Sequence, residues 1–423
     1  MSRSSWSARF ALLGLALATA CGAQSPAASA PAAPGARGAS PTSRPSSDAP
    51  SPSDAIASVQ AQANGWRAAH RLIDLHTHVD AQPGPMALAV RVMDGAGIGT
   101  AVNLSGGTVT HARGGVSAFE AGKAFTDARF PGRFLEYMNL DYAEWDSPDF
   151  AAKAVAQVEE GARLGAAGFK EFKRLGLFLR DKNDRLLKID DPKLDPMWAA
   201  LGRLGMPVSI HVADPKAFWS PNDATNERWK ELKDHPRWWF GDPKVYPPRE
   251  ELLAALERVV SRHPETTFVC VHFGNNAEDL GWVDAQLDRH PNMMVDIAAR
   301  VPEIGRRDAT HETDGVRAFF AKHQDRILFA TDFQSYERLT LGSGGNGPPP
   351  TEADALDFFA KHWRFFETAD TDFAHMTPIQ GDWTISAIHL PADALEKIYF
   401  GNADRLLAKA FAKLRASTGD GGT

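Results

Sequence analysis

Residues 71–80 read RLIDLHTHVD, an apolar run that ends in two histidines one residue apart and an acid. In an extended strand, side chains alternate between the two faces, so His76 and His78 point the same way, about 7 Å apart along the chain. Two neutral imidazoles at that spacing can bind one cation. A His-x-His pair also occurs by chance on surfaces, so the rest of the chain has to supply further ligands.

The composition is that of a globular protein with a large core. The chain has 423 residues, of which 43% are hydrophobic and 23% charged. The formal net charge of −7 is small for this length, and no basic block stands out in the sequence. These features argue against a disordered protein and against a nucleic-acid-binding protein.

The first residues predict export. Residues 1–21 carry two arginines and then an apolar run of signal-peptide length, too short to span a bilayer. The run ends in LATAC, which resembles the lipobox of bacterial lipoproteins, so Cys21 is expected to carry acyl chains. The expected location is the bacterial cell envelope, periplasmic or associated with the outer membrane, with a lipid anchor. The alternative is an ordinary signal peptide in which Cys21 is incidental.

Three further segments follow the signal sequence. Residues 22–55 are dominated by Ala, Pro and Ser and predict a disordered tether. Residues 56–415 are expected to form a single domain, and residues 416–423 a disordered tail. The other cysteine, Cys270, lies in the apolar run TTFVCVHF, so we expect a buried free thiol and no disulfide.

Eight apolar, β-branched runs follow one another in the domain, each with a segment of helical periodicity after it. Strands that alternate with helices predict a parallel sheet with right-handed crossovers, and eight such units favour an α/β fold of the (β/α)₈ TIM-barrel type. An open doubly wound sheet is the alternative. That fold is expected to have a glycine-rich turn after its first strand, and the sequence there, HTHVDAQPG, is not one. The predicted strands are Leu72–Val79, Thr100–Leu104, Phe134–Leu140, Gly168–Phe172, Val208–Val212, Thr267–Phe273, Met293–Ala298 and Ile327–Ala330.

Residues able to bind metal recur at the carboxyl ends of these strands. Strand one ends in His76 and His78, strand five in His211, strand six in His272 and strand eight in Asp332. In a closed barrel those ends surround one axis, so residues distant in sequence come close together. One buried histidine is more simply a core residue, but four with an aspartate at equivalent strand ends indicate a site.

The set of motifs IDLHTH, SIHVADP, VHFGNN, ILFATDF and LEKIYFGNADRLL resembles the amidohydrolase superfamily. The similarity is to its amidohydrolase-related branch, which includes aminocarboxymuconate-semialdehyde decarboxylase, and it covers about residues 70–410. It implies that His76, His78, His211 and Asp332 hold one divalent metal. It further implies that His272 is a catalytic acid/base.

Imidazoles and one carboxylate suit zinc, with manganese or iron as the alternatives. The expected chemistry is metal-bound hydroxide attacking a carbonyl, because a bound metal can lower the pKa of water from 15.7 to about 7. Either Asp332 or His272 can accept the proton, and His272 can return it to a leaving group. Asp74 faces the same way as His76 and is interpreted as a buried acid that is structural or supports a metal ligand, with direct catalysis as the alternative.

Two basic residues are candidates for substrate binding. Lys170, on strand four, binds an anionic substrate, is a carboxylated lysine that bridges two metals as in some superfamily members, or faces solvent. Which of Lys170 and Glu171 faces the site is left open. Arg300, after strand seven, is a carboxylate clamp or part of a surface salt bridge.

The sequence therefore predicts a metal-dependent hydrolase that acts on an ester, lactone or amide of a small organic substrate. The first alternative is a non-oxidative decarboxylase (carboxy-lyase) on the same metal site. The second is a non-catalytic binding lipoprotein. A homo-oligomer is left open.

Overall fold

The structure is a computed structural model that describes residues 51–111, 115–307 and 312–418. The predicted signal peptide, Cys21 and most of the predicted tether lie outside these ranges. Within the described ranges, no helix combines the length and the apolar character needed to cross a membrane.

All eight predicted strands are present and follow one another in a curled, parallel sheet, as a TIM-barrel-type fold requires. Two short strands come after the eighth; one pairs parallel with the first strand and antiparallel with the other. The strands are β1 Leu72–Val79, β2 Ile98–Asn103, β3 Phe134–Met138, β4 Gly168–Glu171, β5 Val208–Ile210, β6 Phe268–Cys270, β7 Met293–Asp296, β8 Ile327–Leu328, β9 Phe333–Ser335 and β10 Leu339–Leu341, with a separate hairpin of β11 Phe373–Ala374 and β12 Thr384–Ile385.

Hydrogen bonds between β1 and the chain that follows β8 bring the two ends of the sheet together. The amide of Leu75 donates to the carbonyl of Phe329 at 3.0 Å, and the amide of Asp332 donates to the carbonyl of His76 at 2.9 Å. Asp74 reinforces this seam: its buried carboxylate accepts from the hydroxyl of Thr331 at 2.5 Å and from two backbone amides. These contacts fit a structural role for Asp74.

Helices cover the outside of the sheet and contribute buried apolar faces to the core. They are α1 Pro52–Ala68, α2 Pro83–Ala96, α3 Ala118–Arg129, α4 Phe150–Leu164, α5 Asp195–Leu204, α6 Trp229–Leu232, α7 Arg249–Arg262, the single turn α8 Val271–Gly274, α9 Leu280–Arg289, α10 Val301–Gly305, α11 Thr313–Lys322, α12 Glu352–Glu367, α13 Ala392–Glu396, α14 Asn402–Leu406 and α15 Ala408–Thr418.

Glycines end some of the helices that lead into strands. Gly97 follows α2 and Gly205 follows α5, both with positive φ (78° and 65°), and each amide donates to a carbonyl of the last helical turn. Glycine adopts this left-handed conformation without a Cβ clash. The chain can therefore turn sharply from each helix into the next strand.

Helices extend past both ends of the predicted domain, residues 56–415. The first helix begins at Pro52, inside the predicted tether, because Ser51 caps it by accepting from the amide of Asp54 and proline suits the first helical turn. At the other end α15 continues to Thr418, inside the predicted tail.

Candidate metal centre

The end of β1 places both histidines in one cavity. Every residue of this strand is buried, and its alternation turns His76 and His78 to the same side. Their rings meet edge to face with centroids 5.2 Å apart, and their Nε2 atoms are 3.3 Å apart. Burial lowers the pKa of His78 to about 3 and holds that of His76 well below its usual value, so both imidazoles stay neutral and able to bind metal.

Asp332 faces the two histidines from the chain just after β8. Its Oδ1 lies 3.5 Å from Nε2 of His78 and 3.8 Å from Nε2 of His76. Its φ of 60° is unusual for a residue other than glycine, and such backbone conformations concentrate at functional sites. Burial raises the pKa of Asp332 to about 7.

The spacing of these three ligand atoms fits a metal ion. Bonds of 2.0–2.1 Å in a tetrahedron place neighbouring ligand atoms about 3.3–3.4 Å apart. The distances of 3.3, 3.5 and 3.8 Å lie at or slightly above that value. A divalent cation therefore fits among His76, His78 and Asp332 with small movements of the side chains.

The structure brings His211 into the same cavity but not into this tight group. At this cavity, the described groups whose ligand atoms lie within 4.8 Å of one another join His76 and His78 to Asp332, and His76 and His272 to Asp296. His211 packs on His272 with ring centroids 4.3 Å apart. Its buried Nε2 makes no hydrogen bond, although it lies 3.3 Å from Oδ1 of Asp214. The role of His211 as a metal ligand stays a prediction.

Asp296, at the end of β7, was not singled out from the sequence. Its Oδ2 lies 2.9 Å from Nδ1 of His76, and its Oδ1 accepts from the amides of His272 at 2.7 Å and Ala298 at 3.2 Å. A carboxylate behind a metal-binding histidine orients the ring and makes it a better donor. The signal was present in MMVD, because Asp296 is another acid at a strand end.

His272 has a strained backbone and a defined ring orientation. Both His272 and the next residue, Phe273, are left-handed, with φ of 54° and 57°. The ring Nδ1 lies 2.9 Å from the carbonyl oxygen of Ala298. A carbonyl can only accept, so Nδ1 carries the hydrogen and Nε2 keeps a lone pair. Burial holds the pKa of His272 well below its usual value, so the ring is uncharged at neutral pH.

Lys170, rather than Glu171, faces the cavity. Glu171 accepts from the hydroxyl of Tyr142 at 2.6 Å and lies 3.4 Å from Arg174, away from the metal cluster. The Nζ of Lys170 is fully buried and has no hydrogen-bond partner among the described residues. Burial lowers the pKa of Lys170 to about 8. The charges of Asp296, Asp332 and Glu171 act on this ammonium, but its hydrogens have no acceptor and remain available to a ligand.

Arg300 also lines the cavity, with its side chain about 10% exposed, so the surface alternative for this residue is wrong. One of its nitrogens donates to the carbonyl of Ala299 at 2.7 Å. Carboxylates of Asp214 and Glu303 are no closer than 4.0 and 3.8 Å. Hydrogens of the guanidinium therefore remain available for a ligand.

The cavity has a volume of about 440 Å³ and opens at the carboxyl ends of the strands. The long segments after β5 and β8 wall it, and rings of Phe172, Phe218 and Trp238 contribute apolar surface. Two other tryptophans of the segment after β5 make hydrogen bonds within that segment. Trp219 and Trp239 donate to the backbone carbonyls of Pro247 and Ser220.

Comparison with known proteins places the chain in a family. A sequence model described as amidohydrolase matches residues 73–409. No curated protein matches the chain.

Solved structures with a similar fold include three decarboxylases. The 2,6-dihydroxybenzoate decarboxylase from Rhizobium is 19% identical, with 80% of this chain and 98% of that chain covered and a TM-score of 0.44. The dihydroxybenzoic acid decarboxylase from Polaromonas sp. JS666, with bound manganese and 2-nitroresorcinol, is 16% identical, with 80% and 96% covered and a TM-score of 0.44. The 5-carboxyvanillate decarboxylase from Sphingomonas paucimobilis is 16% identical, with 80% and 99% covered and a TM-score of 0.42. The family match spans most of the barrel and all the predicted ligands, and the chain therefore belongs to the amidohydrolase family, as a metal enzyme of that superfamily.

Proposed function

We propose that this chain is a divalent-metal-dependent carboxy-lyase that removes CO₂ from a small organic acid. The observation that supports it is the buried, unpartnered ammonium of Lys170 at the wall of the metal cavity. A buried ammonium whose hydrogens have no acceptor favours an anionic ligand that can accept from them beside the metal cluster. Arg300 adds a planar donor group that matches a carboxylate.

A substrate carboxylate in this position is better suited to be lost as CO₂ than to be attacked by water. Its charge is shared by two oxygens, which makes it a poor target for water. A divalent cation at His76, His78 and Asp332 would polarise a substrate oxygen near the bond that breaks. Loss of CO₂ leaves the electron pair of the broken carbon–carbon bond on the substrate, and a proton must then reach that carbon.

Residues of the cavity can supply the binding and the proton. Lys170 and Arg300 orient the carboxylate, and the rings of Phe172, Phe218 and Trp238 pack against a planar substrate and exclude water. With a pKa lowered to about 8 by burial, Lys170 keeps its proton at neutral pH and is acidic enough to donate it. The new carbon–hydrogen bond takes that proton, and water then reprotonates the amine.

Hydrolysis of an ester, lactone or amide is the second candidate, and His272 favours it. The lone pair on Nε2 can accept a proton from an attacking water, and the ring lies 4.3 Å from that of His211 and 4.9 Å from that of His76, measured between centroids. In this case Lys170 and Arg300 hold a carboxylate of the substrate that does not react. The two reactions share every binding residue.

One experiment separates the two. Protein reconstituted with zinc or manganese is incubated with a panel of aromatic and unsaturated acids, some carrying an ester or lactone, and each sample is followed for CO₂ and for hydrolysis. Metal-dependent CO₂ release supports the carboxy-lyase, and hydrolysis without CO₂ would replace it with the hydrolase. Tight binding of acids without turnover would favour the non-catalytic binding protein. His76→Ala is the metal-site control, and Asp357→Asn, on the exposed side of α12, is the matched surface control.

The N-terminal sequence supports a location in the cell envelope for this reaction. We propose that the protein is exported and attached to an envelope membrane through acyl chains on Cys21. Metabolic labelling with a fatty acid tests this, since the label should be lost in Cys21→Ser and retained in the wild type.

A further inference from the structure

The two histidines of β1 have different partners on the ring nitrogen that faces away from the metal position. Nδ1 of His76 meets the carboxylate of Asp296. Nδ1 of His78 meets a neutral hydroxyl, the Oγ of Ser105, at 2.7 Å. The hydroxyl of Tyr336 lies 3.1 Å from the same Oγ. Neither Ser105 nor Tyr336 belongs to the predicted ligand set.

We propose that Ser105 and Tyr336 are positioning residues that hold His78 in its metal-binding tautomer and so set the affinity of the site for a divalent cation. This inference rests on the proposed metal-dependent function. When Nδ1 donates its hydrogen to Ser105, Nε2 keeps its lone pair, and Nε2 is the atom that faces His76 and Asp332. The opposite tautomer would place a hydrogen where the metal binds.

The position of Ser105 is fixed by a buried clamp. The amide of Ser105 donates to Oδ1 of Asn103 at 3.2 Å. Asn103 is about 1% exposed and holds the end of β1: its Oδ1 accepts from the amide of Val79 at 3.0 Å, and its Nδ2 donates to the carbonyl of Val79 at 2.9 Å. The same side chain therefore holds both Ser105 and the strand that carries His78.

Tyr336 gives the serine hydroxyl a second partner. If Oγ of Ser105 accepts a hydrogen bond from His78, its own hydrogen can be donated to the hydroxyl oxygen of Tyr336. The serine then accepts from the histidine and donates to the tyrosine. The tyrosine is 39% exposed, so water can replace its hydroxyl. Ser105 should consequently matter more than Tyr336.

The test is a direct measurement of metal affinity. Metal-free protein is titrated with Zn²⁺ against a chromophoric chelator, and each variant is also examined by thermal unfolding in the metal-free state. Ser105→Ala is expected to weaken zinc binding about 10- to 100-fold, as removal of such outer partners typically does. Ser105→Thr keeps the hydroxyl and should stay within about 3-fold of wild type, and Tyr336→Phe should lose less than about 10-fold. Ser58→Ala on α1 and Tyr246→Phe after β5 are the matched controls.

The outcomes distinguish this inference from the function on which it rests. Zinc binding by Ser105→Ala within about 2-fold of wild type overturns the inference and leaves the metal-dependent function standing. Failure of the wild type to bind zinc or manganese overturns both. A loss of affinity in Ser105→Thr equal to that in Ser105→Ala also contradicts the proposal, because the hydroxyl would then not be the cause. Equal unfolding temperatures of the metal-free variants, with zinc binding weakened most in Ser105→Ala and nearly unchanged in Ser105→Thr, support it.

Discussion

Oδ2 of Asp296, at the end of β7, lies 2.9 Å from Nδ1 of His76, which is 220 residues earlier in the chain at the end of β1. Both side chains are about 1% exposed. The same carboxylate also accepts from the backbone amide of His272. One acid thus orients a predicted metal ligand and fixes the strained segment that carries the predicted acid/base residue.

Asp296→Asn is expected to lower zinc affinity about 10- to 100-fold, because the amide is a weaker acceptor for the ring hydrogen of His76 than the carboxylate. Chelator competition measures the change. Asp357→Asn, which alters an exposed ion pair on α12, should bind zinc like wild type. If Asp296→Asn keeps wild-type affinity, the carboxylate does not act through His76.

His272→Asn is expected to reduce the metal-dependent turnover about 10²- to 10⁴-fold, the range for loss of a positioned acid or base. Asparagine tolerates the left-handed backbone at this position, so the fold should persist. Zinc affinity should stay within a few fold of wild type. A variant that loses its metal instead would show that His272 is a ligand, and unchanged turnover would show that it does not move protons.

Lys170→Met should stabilise the protein while it weakens ligand binding. The ammonium is buried without a hydrogen-bond partner, and a methionine of similar length removes that cost, so the free energy of unfolding of the zinc-loaded protein should rise by about 1–3 kcal/mol. Benzoate, used as a simple carboxylate probe, should bind more weakly, as calorimetry would show. Lys170→Arg keeps the charge and is the control for binding. A less stable Lys170→Met with unchanged benzoate binding would mean that Lys170 is structural.

The strand pattern and the residues at strand ends could be predicted because each depends on a short stretch of sequence. Eight apolar runs and the residues that follow them place His76, His78, His272 and Asp332 around one cavity. The partner of each ring could not be predicted in the same way. Whether Asp296 reaches His76, or Ser105 reaches His78, depends on the register between strands and on loop paths that no local pattern encodes.

The backbone conformation of site residues and the direction of the β4 side chains could also not be predicted from the sequence. The left-handed φ at His272 and at Asp332 is imposed by the surrounding hydrogen bonds, since neither residue type requires it. The alternation of β4 could not decide between Lys170 and Glu171, because both are fully buried and only their partners differ. The strands β9 and β10 are not among the eight predicted strands.

Glu136 on β3 provides a pH test of the fold away from the metal cluster. Burial raises the pKa of this carboxyl to about 7 from an unperturbed 4.5, against the opposing effect of hydrogen bonds from Thr126 and Asn103. A raised pKa means that the folded state binds the proton more tightly than the unfolded state does. This contribution to stability is fully present below about pH 4.5 and is lost as the pH rises to about 7.

The shift corresponds to about 3 kcal/mol, at 1.36 kcal/mol for each pKa unit. Glu136→Gln keeps the shape and cannot titrate, so the free energy of unfolding of wild type relative to this variant should fall by about 3 kcal/mol between pH 4.5 and 8. Denaturant unfolding of both proteins at each pH measures the difference, in which the effects of all other groups cancel. Glu159→Gln, at an exposed position of α4, should track wild type at every pH. A flat difference between wild type and Glu136→Gln would show that Glu136 is ionised in the folded protein, with its charge balanced by the neighbouring Lys123.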